Sequence, residues 1–199
     1  MEKSVYTIGH STHSISYFID LLQQHHIHCI IDVRSVPASG YNPQYNQSQL
    51  KASLAQHQIL YMHFKDEFGA HQKQKDYRHE DGFLDFDKFA LSTTFQRGVR
   101  RIQEGIKQGY RIALMCAEAD PLVCHRFSMV AKNIQRAGIE VKHILKDGHI
   151  HTHTELEATF MVKYNPNHKQ LSLFSDHDID TALNQAYSKQ NRLIAWRPQ

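Results

Sequence analysis

The apolar positions of this chain follow two alternating periods. Val5-Tyr6-Thr7-Ile8, Ile27 to Val33, Ile59 to Phe64, Arg111 to Met115 and Glu140 to Leu145 are short, apolar or β-branched runs of strand length. Between them, Ile15, Phe18, Ile19 and Leu22 recur at helical spacing behind Ser14, a predicted N-cap. Further helices are predicted up to about His57, over Phe86 to Lys107 with Gly109 as its stop, and over Phe127 to Ala137 with Gly138 closing it. Pro37 must stop or edge the second strand, and residues 37–47, rich in Pro, Gly, Asn and Ser, read as a loop. Residues 65–82 are charged and poor in apolar positions, with Gly69 and Gly82 as breakers, so a long surface loop or lid is expected. Asp147-Gly148 turns the chain, and the polar remainder carries weak helical patterns near 152–162 and 178–190.

Strands alternating with helices imply parallel β/α units in three layers. The predicted architecture is an α/β, Rossmann-like sandwich with a mostly parallel sheet over residues 1–150, followed by a polar C-terminal extension over 151–199. Composition agrees with one such core: 199 residues, 41% of them hydrophobic, with no internal repeat or low-complexity tract. No apolar run approaches the roughly 18 residues of a membrane span, and Met1-Glu2-Lys3-Ser4 enters a strand without a signal-peptide core. Three cysteines, an odd number without a disulfide pattern, point to a reducing, cytoplasmic setting. A net charge of +3 permits contact with nucleic acid without demanding it.

Met115-Cys116-Ala117-Glu118-Ala119-Asp120-Pro121-Leu122-Val123-Cys124-His125-Arg126 places two thiols, two carboxylates, an imidazole and a guanidinium between a predicted strand and helix. In open α/β sheets that connection lies at the carboxyl edge, where ligands bind. If the first, second and Cys116 strands are neighbours, His10 and Ser11, Asp32 to Ser35, and Cys116 to Arg126 converge there. Cys116, Glu118 and His125 are the candidate catalytic residues: a thiol of lowered pKa and two proton carriers. His10, Ser11, Asp32, Arg34, Ser35, Cys124 and Arg126 are the candidate substrate-binding residues, the arginines as clamps for a phosphate or carboxylate. Each has a structural counterpart: Cys116 as a small core residue, Asp32 and Arg34 as a loop-fixing ion pair, Glu118 and Asp120 as complements to a helix dipole.

Cys116-Ala117-Glu118 is similar to the zinc deaminase pattern, but Pro121-Leu122-Val123-Cys124 has the wrong spacing for it. Zinc on Cys116, Cys124, His125 and His10 would fill a tetrahedral shell. Adjacent Cys124 and His125 on one helix would, however, point about 100° apart, so no cofactor or metal is expected and zinc stands as a minor alternative. His149, His151 and His153 alternate and would share a strand face, more simply a solvated edge than a metal site.

Two family resemblances follow. Ile30-Ile31-Asp32-Val33-Arg34 and the order strand, Cys116, loop, helix, strand resemble rhodanese-like sulfurtransferases, although the loop after Cys116 is longer and carries Pro121. Gly9-His10-Ser11, Asp32-Val33-Arg34-Ser35-x-Pro37-x-Ser39, Tyr41-Asn42-Pro43 and Cys116-Ala117-Glu118-x-x-Pro121-x-x-Cys124-His125-Arg126 together resemble the domain of unknown function 488 family, from about residue 5 to residue 150. That resemblance implies a Rossmann-like fold and a site built from those motifs, and supplies no substrate. Gly40 stands where the family often has Arg, and Phe68-Gly69-Ala70 replaces a Leu-Gly-Gly turn.

In the tail, Gln170-Leu171-Ser172-Leu173-Phe174 resembles the pentapeptide that docks bacterial repair and replication proteins on the sliding clamp. Gln170 would make the polar contacts and Leu171, Leu173 and Phe174 would fill an apolar groove. The leading expectation is an enzyme of nucleic-acid or nucleotide metabolism, acting in DNA repair or modification. The alternatives are thiol chemistry at Cys116 and a non-enzymatic adaptor bound to the clamp.

Overall fold

A computed structural model describes residues 3–164 and 176–197. Six strands, β1 (Ser4–Gly9), β2 (Cys29–Asp32), β3 (Leu60–His63), β4 (Ile112–Cys116), β5 (Glu140–Ile144) and β6 (Ile150–Thr152), form one sheet in the order β3-β2-β4-β1-β5-β6. The first five are parallel and β6 runs antiparallel to β5. β4, the last of the central strands in sequence, is inserted between β2 and β1, with Gly9 opposite Cys116 and Asp32 opposite Met115. The three strand ends expected to share an edge are therefore adjacent.

The strands buried on both faces are the apolar runs of the sequence. Ile112, Leu114 and Cys116 of β4 face one layer and Ala113 and Met115 face the other, as the two-residue period of a strand requires. The Cys116 face is covered by α3 (Lys65–Phe68), α4 (Phe86–Ala90), α5 (Thr93–Lys107) and the helix that follows β4. The opposite face is covered by α1 (Ile15–Gln24) and α2 (Gln47–Gln56). Ser14 caps α1 by accepting from the Tyr17 N–H at 3.2 Å, and Phe18, Ile19, Leu21 and Leu22 of that helix are buried. Each such side chain withdrawn from water stabilises the fold by about 1.5–3 kcal/mol, which makes the three-layer arrangement a consequence of the pattern.

Three local departures matter. The long helix expected over 86–107 is two, because Ser92 takes an extended backbone and its hydroxyl caps α5 at the Phe95 N–H, 3.1 Å away. Asp85 caps α4 in the same way, so polar cap chemistry overrides the apolar periodicity running across the break. Segment 65–82 is tethered: Phe68 is buried, and the buried Glu67 carboxylate accepts from Arg97 and Arg101 of α5 at 3.2 and 3.0 Å. The chain after residue 150 also returns to the body. β6 joins the sheet, and Leu156 and Phe160 of α7 (His153–Tyr164) with Ala186 and Tyr187 of α8 (Asp176–Ile194) bury Leu122 and Phe127. No described helix is long and apolar enough to cross a membrane.

Candidate active site

Beyond β1 and β4 the chain keeps pairing: the His10 N–H donates to the Cys116 carbonyl at 3.0 Å and the Ser11 N–H to the Ala117 carbonyl at 2.8 Å. Ser11 takes a left-handed backbone (φ 48°), an unusual conformation for a residue with a Cβ. The loop after β4 folds back over Gly9 so closely that a Cβ there would lie 1.8 Å from the Glu118 carbonyl oxygen. Pro121–Val123 then makes one 3₁₀ turn, capped by Asp120 accepting from the Leu122 N–H at 2.8 Å.

Cys124 follows in an extended conformation (φ −119°, ψ 145°) and is not on the helix. His125 (φ −61°, ψ −23°) is the residue at which helical backbone begins. Arg126–Ala131 is π-helical, passing into α6 (Lys132–Arg136), where a simple α-helix was expected. The extended backbone at Cys124 removes the objection that its side chain and that of His125 must diverge.

All four reactive side chains meet. The Cys116 and Cys124 thiols each donate to Oε2 of Glu118 at 3.0 Å, and their sulfurs lie 3.8 and 3.9 Å from Nδ1 of His125. The other ring nitrogen of His125, Nε2, faces the Val33 carbonyl at 3.2 Å and so carries the proton, which leaves the Nδ1 lone pair directed at the sulfurs. Cys116 and Cys124 are buried, and Glu118 is exposed as a residue but turns its carboxyl inward.

The electrostatics follow from this packing. A hydrogen bond to Cys124, then burial, pushes the Cys116 thiol well up. Burial opposes ionisation of Cys124 as well. There the hydrogen bond with the Cys116 thiol, then the Arg126 guanidinium and the neighbouring His125, prevail and hold it well below its ordinary value. Burial of its carboxyl, then Cys124, raises Glu118. Burial works against a charge on His125, but Cys124 and Glu118 raise it. The thiol that ionises more readily is thus Cys124, not the Cys116 singled out from the sequence.

The two arginines expected to clamp an anion are engaged within the protein. Arg126 is fully buried and donates to the Glu118 and Ala119 carbonyls at 2.6 and 2.9 Å, holding the loop over the site. Arg34 donates through Nε and Nη2 to Asp32 at 2.9 and 2.6 Å, and also to the Tyr45 carbonyl and His10 Nε2. Asp32, fully buried, also accepts from the Tyr61 hydroxyl at 2.7 Å. His10 stacks on Tyr45 with ring centroids 4.0 Å apart; burial, with Arg34 adding to it, lowers its pKa to about 4.

Two cavities open on the cluster. One of about 270 Å³ is lined by Cys116, Glu118, Cys124 and His125 with Arg34, Ser35 and His71. The other, about 410 Å³, shares Arg34, Val36, Ala117 and Glu118 with it and adds His10, Ser11, Thr12, Ser39 and Asn42. Of the residues singled out from the sequence, Asp32 and Arg126 line neither: both are buried supports. Thr12, His71 and Ile194 were not singled out. Thr12 directly follows the Gly9-His10-Ser11 turn, which could have pointed to it, whereas His71 and Ile194 sit in unpatterned surroundings. Gln170, Leu171, Leu173 and Phe174 lie outside the described residues. His153 turns away from His149 and His151 into the interior, where it meets His143 at 3.0 Å and the Tyr187 hydroxyl at 3.0 Å.

No curated protein and no solved structure gives a significant match to the chain. A family model does, the one described as Domain of unknown function DUF488, over residues 14–133. That span holds the Asp32–Arg34 strand end and the whole Cys116–Arg126 loop, while the Gly9-His10-Ser11 turn that completes the rim precedes it. Matched over more than half its length, the chain belongs to the DUF488 family.

Proposed function

We propose that the protein is an enzyme of nucleic-acid or nucleotide metabolism that cleaves or transfers a group on a phosphate- or ribose-bearing substrate, in DNA repair or modification. The observation that carries this reading is the meeting of Cys116, Glu118, Cys124 and His125 on the wall of one cavity, with Glu118 also reaching the second. Glu118, reached by solvent yet bonded inward, is placed to pass a proton between a bound molecule and the site. The second cavity offers hydroxyls and an amide from Ser11, Thr12, Ser39 and Asn42, groups that recognise ribose and phosphate oxygens through neutral hydrogen bonds. Tyr41, on the loop that contributes Ser39 and Asn42, is 98% exposed and offers a ring for stacking a base. The tail pentapeptide Gln170–Phe174 would bring such an enzyme to DNA by docking on the sliding clamp, raising its local concentration.

The test is a turnover screen of nucleotides, nucleosides and short single- and double-stranded DNA with wild-type protein and Glu118→Gln. Product from the wild type, lost in a variant that melts at the same temperature, supports the reading. Absence of both turnover and binding across the panel overturns it.

A further inference from the structure

We propose that Cys116, Cys124 and His125 bind a thiophilic divalent cation, zinc foremost, in a site with an open fourth position facing the cavity. The three donor atoms lie within 4.8 Å of one another. The sulfur–nitrogen separations of 3.8 and 3.9 Å are too long for strong hydrogen bonds. They are within about 0.4 Å of the edges, about 3.5 Å, of a tetrahedron with metal–sulfur and metal–nitrogen bonds of about 2.3 and 2.0 Å.

The surroundings of the three donors are those a metal ligand set requires. His125 gives its Nε2–H to the Val33 carbonyl, which fixes the tautomer that leaves Nδ1 free to ligate. The Arg126 backbone N–H points at Cys124 Sγ from 3.4 Å, a contact that stabilises a thiolate. Arg126 itself, buried, fixes the loop between the two cysteines through the Glu118 and Ala119 carbonyls. Two thiolates would neutralise a doubly charged ion, their two protons leaving to solvent as it binds. His10, considered as a fourth ligand, is excluded because Ser11 and Arg34 occupy both of its ring nitrogens.

Two sulfurs and one nitrogen favour zinc over magnesium or calcium, which select oxygen. Three protein ligands with a free position is the pattern of catalytic rather than structural zinc. Glu118 Oε2 lies 3.0 Å from both sulfurs, and Glu118 lines the same cavity. This last step rests on the enzymatic reading above: a water bound there would give its proton to Glu118 and present hydroxide to the substrate.

The experiment uses untagged full-length protein with His149 and His151 replaced by alanine, so that exposed imidazoles do not contribute. After chelation and desalting, zinc content is measured, then cobalt(II) is titrated and its absorption followed. One equivalent of retained or rebound zinc is expected, with the strong visible bands of tetrahedral cobalt and a near-ultraviolet thiolate charge-transfer band. Cys116→Ser and Cys124→Ser should each weaken that band by about half and lower zinc affinity more than about 100-fold, since even outer-shell changes cost 10–100-fold. Cys29→Ser, at the start of β2, should bind as the parent does. Octahedral cobalt spectra, or zinc affinity unchanged in Cys124→Ser, would overturn the site. Zinc bound in this way by a protein that turns over no substrate would leave the metal site standing and remove the enzymatic reading. Turnover unaffected by chelation would leave the enzymatic reading standing and overturn the catalytic role given to the ion.

Discussion

Gly9 is the sharpest single test of how this site is built. A Cβ at that position would sit 1.8 Å from the Glu118 carbonyl oxygen and 2.7 Å from its carbon, both backbone atoms, so no side-chain rotation relieves the clash. The loop would have to retreat until that contact lengthened from 1.8 Å to at least 3.0 Å. The same movement would stretch the Ser11–Ala117 backbone hydrogen bond, 2.8 Å long, and the two Arg126 bonds to the loop carbonyls. Overpacking of this kind costs about 1–3 kcal/mol, and in a domain of this size each kcal/mol moves the melting temperature by about 2–4 °C. Gly9→Ala should therefore melt roughly 2–12 °C lower, and it should lose binding or turnover at the cluster by far more than stability alone explains. Gly105→Ala is the control. Its Cβ would meet only the end of the flexible Ile112 side chain, at 2.9 Å. Its position inside α5 favours alanine by about 1 kcal/mol, so that variant should melt at or above the parent. Differential scanning calorimetry of the pair decides the matter. A Gly9→Ala protein that melts with the parent would refute the claim that the loop is pressed onto β1.

Three further outcomes follow from the same geometry. Asp32→Asn should cost about 3–5 kcal/mol by urea denaturation, because it leaves the buried Arg34 guanidinium without its counter-charge; a loss below about 1 kcal/mol would mean the pair is not holding the strand end. His10 and His153, lowered chiefly by burial to about 4 and about 3, are neutral in the fold but take up protons when unfolded below about pH 6.5. Stability should thus be complete above that pH and fall as the solution is acidified toward the folded values. At about pH 5 the loss is about 2 kcal/mol for each histidine, and His153→Gln, unable to take up the proton between His143, Tyr187, Glu157 and Lys132, should lose its share of the slope; identical acid curves would contradict this. Leu173→Ala with Phe174→Ala should abolish binding to a purified bacterial sliding clamp, and retained binding would end the docking proposal.

The strands, their parallel order and the Cys116 turn were legible because burial on two faces imposes a pattern that neighbouring residues carry in the sequence. β4 reads as an unbroken apolar run because each of its residues is buried. What escaped were decisions made by single polar groups or by distant backbone. The break at Ser92 depends on one hydroxyl outcompeting helical periodicity. The convergence of Cys124 and His125 depends on one extended residue ahead of a π-helical turn, for which adjacent positions in a sequence give no sign. Charge was the least legible property. Arginine beside a reactive loop suggests a ligand clamp, yet the two at this rim serve a carboxylate and backbone carbonyls, and a carbonyl partner leaves no mark on the residues around it.

That use of the arginines has a consequence for how a substrate is held. Arg126 lies fully buried on two carbonyls, and Arg34, 6% exposed, is bonded to Asp32, Tyr45 and His10. The groups facing the larger cavity are mostly uncharged: Ser11, Thr12, Ser39, Asn42 and a His10 whose pKa near 4 keeps it neutral at physiological pH. Recognition of a nucleotide there would proceed by neutral hydrogen bonds and not by ion pairing. Each phosphate neutralised by a cationic side chain releases counterions and adds nearly one unit to the slope of log affinity against log salt. Nucleotide binding to this protein should therefore show a slope shallower than about one between low and physiological salt, measured by calorimetry. A slope of about three or more would mean that Arg34 or a more distant cationic surface does the holding. The reading of both arginines as structural supports would then fall.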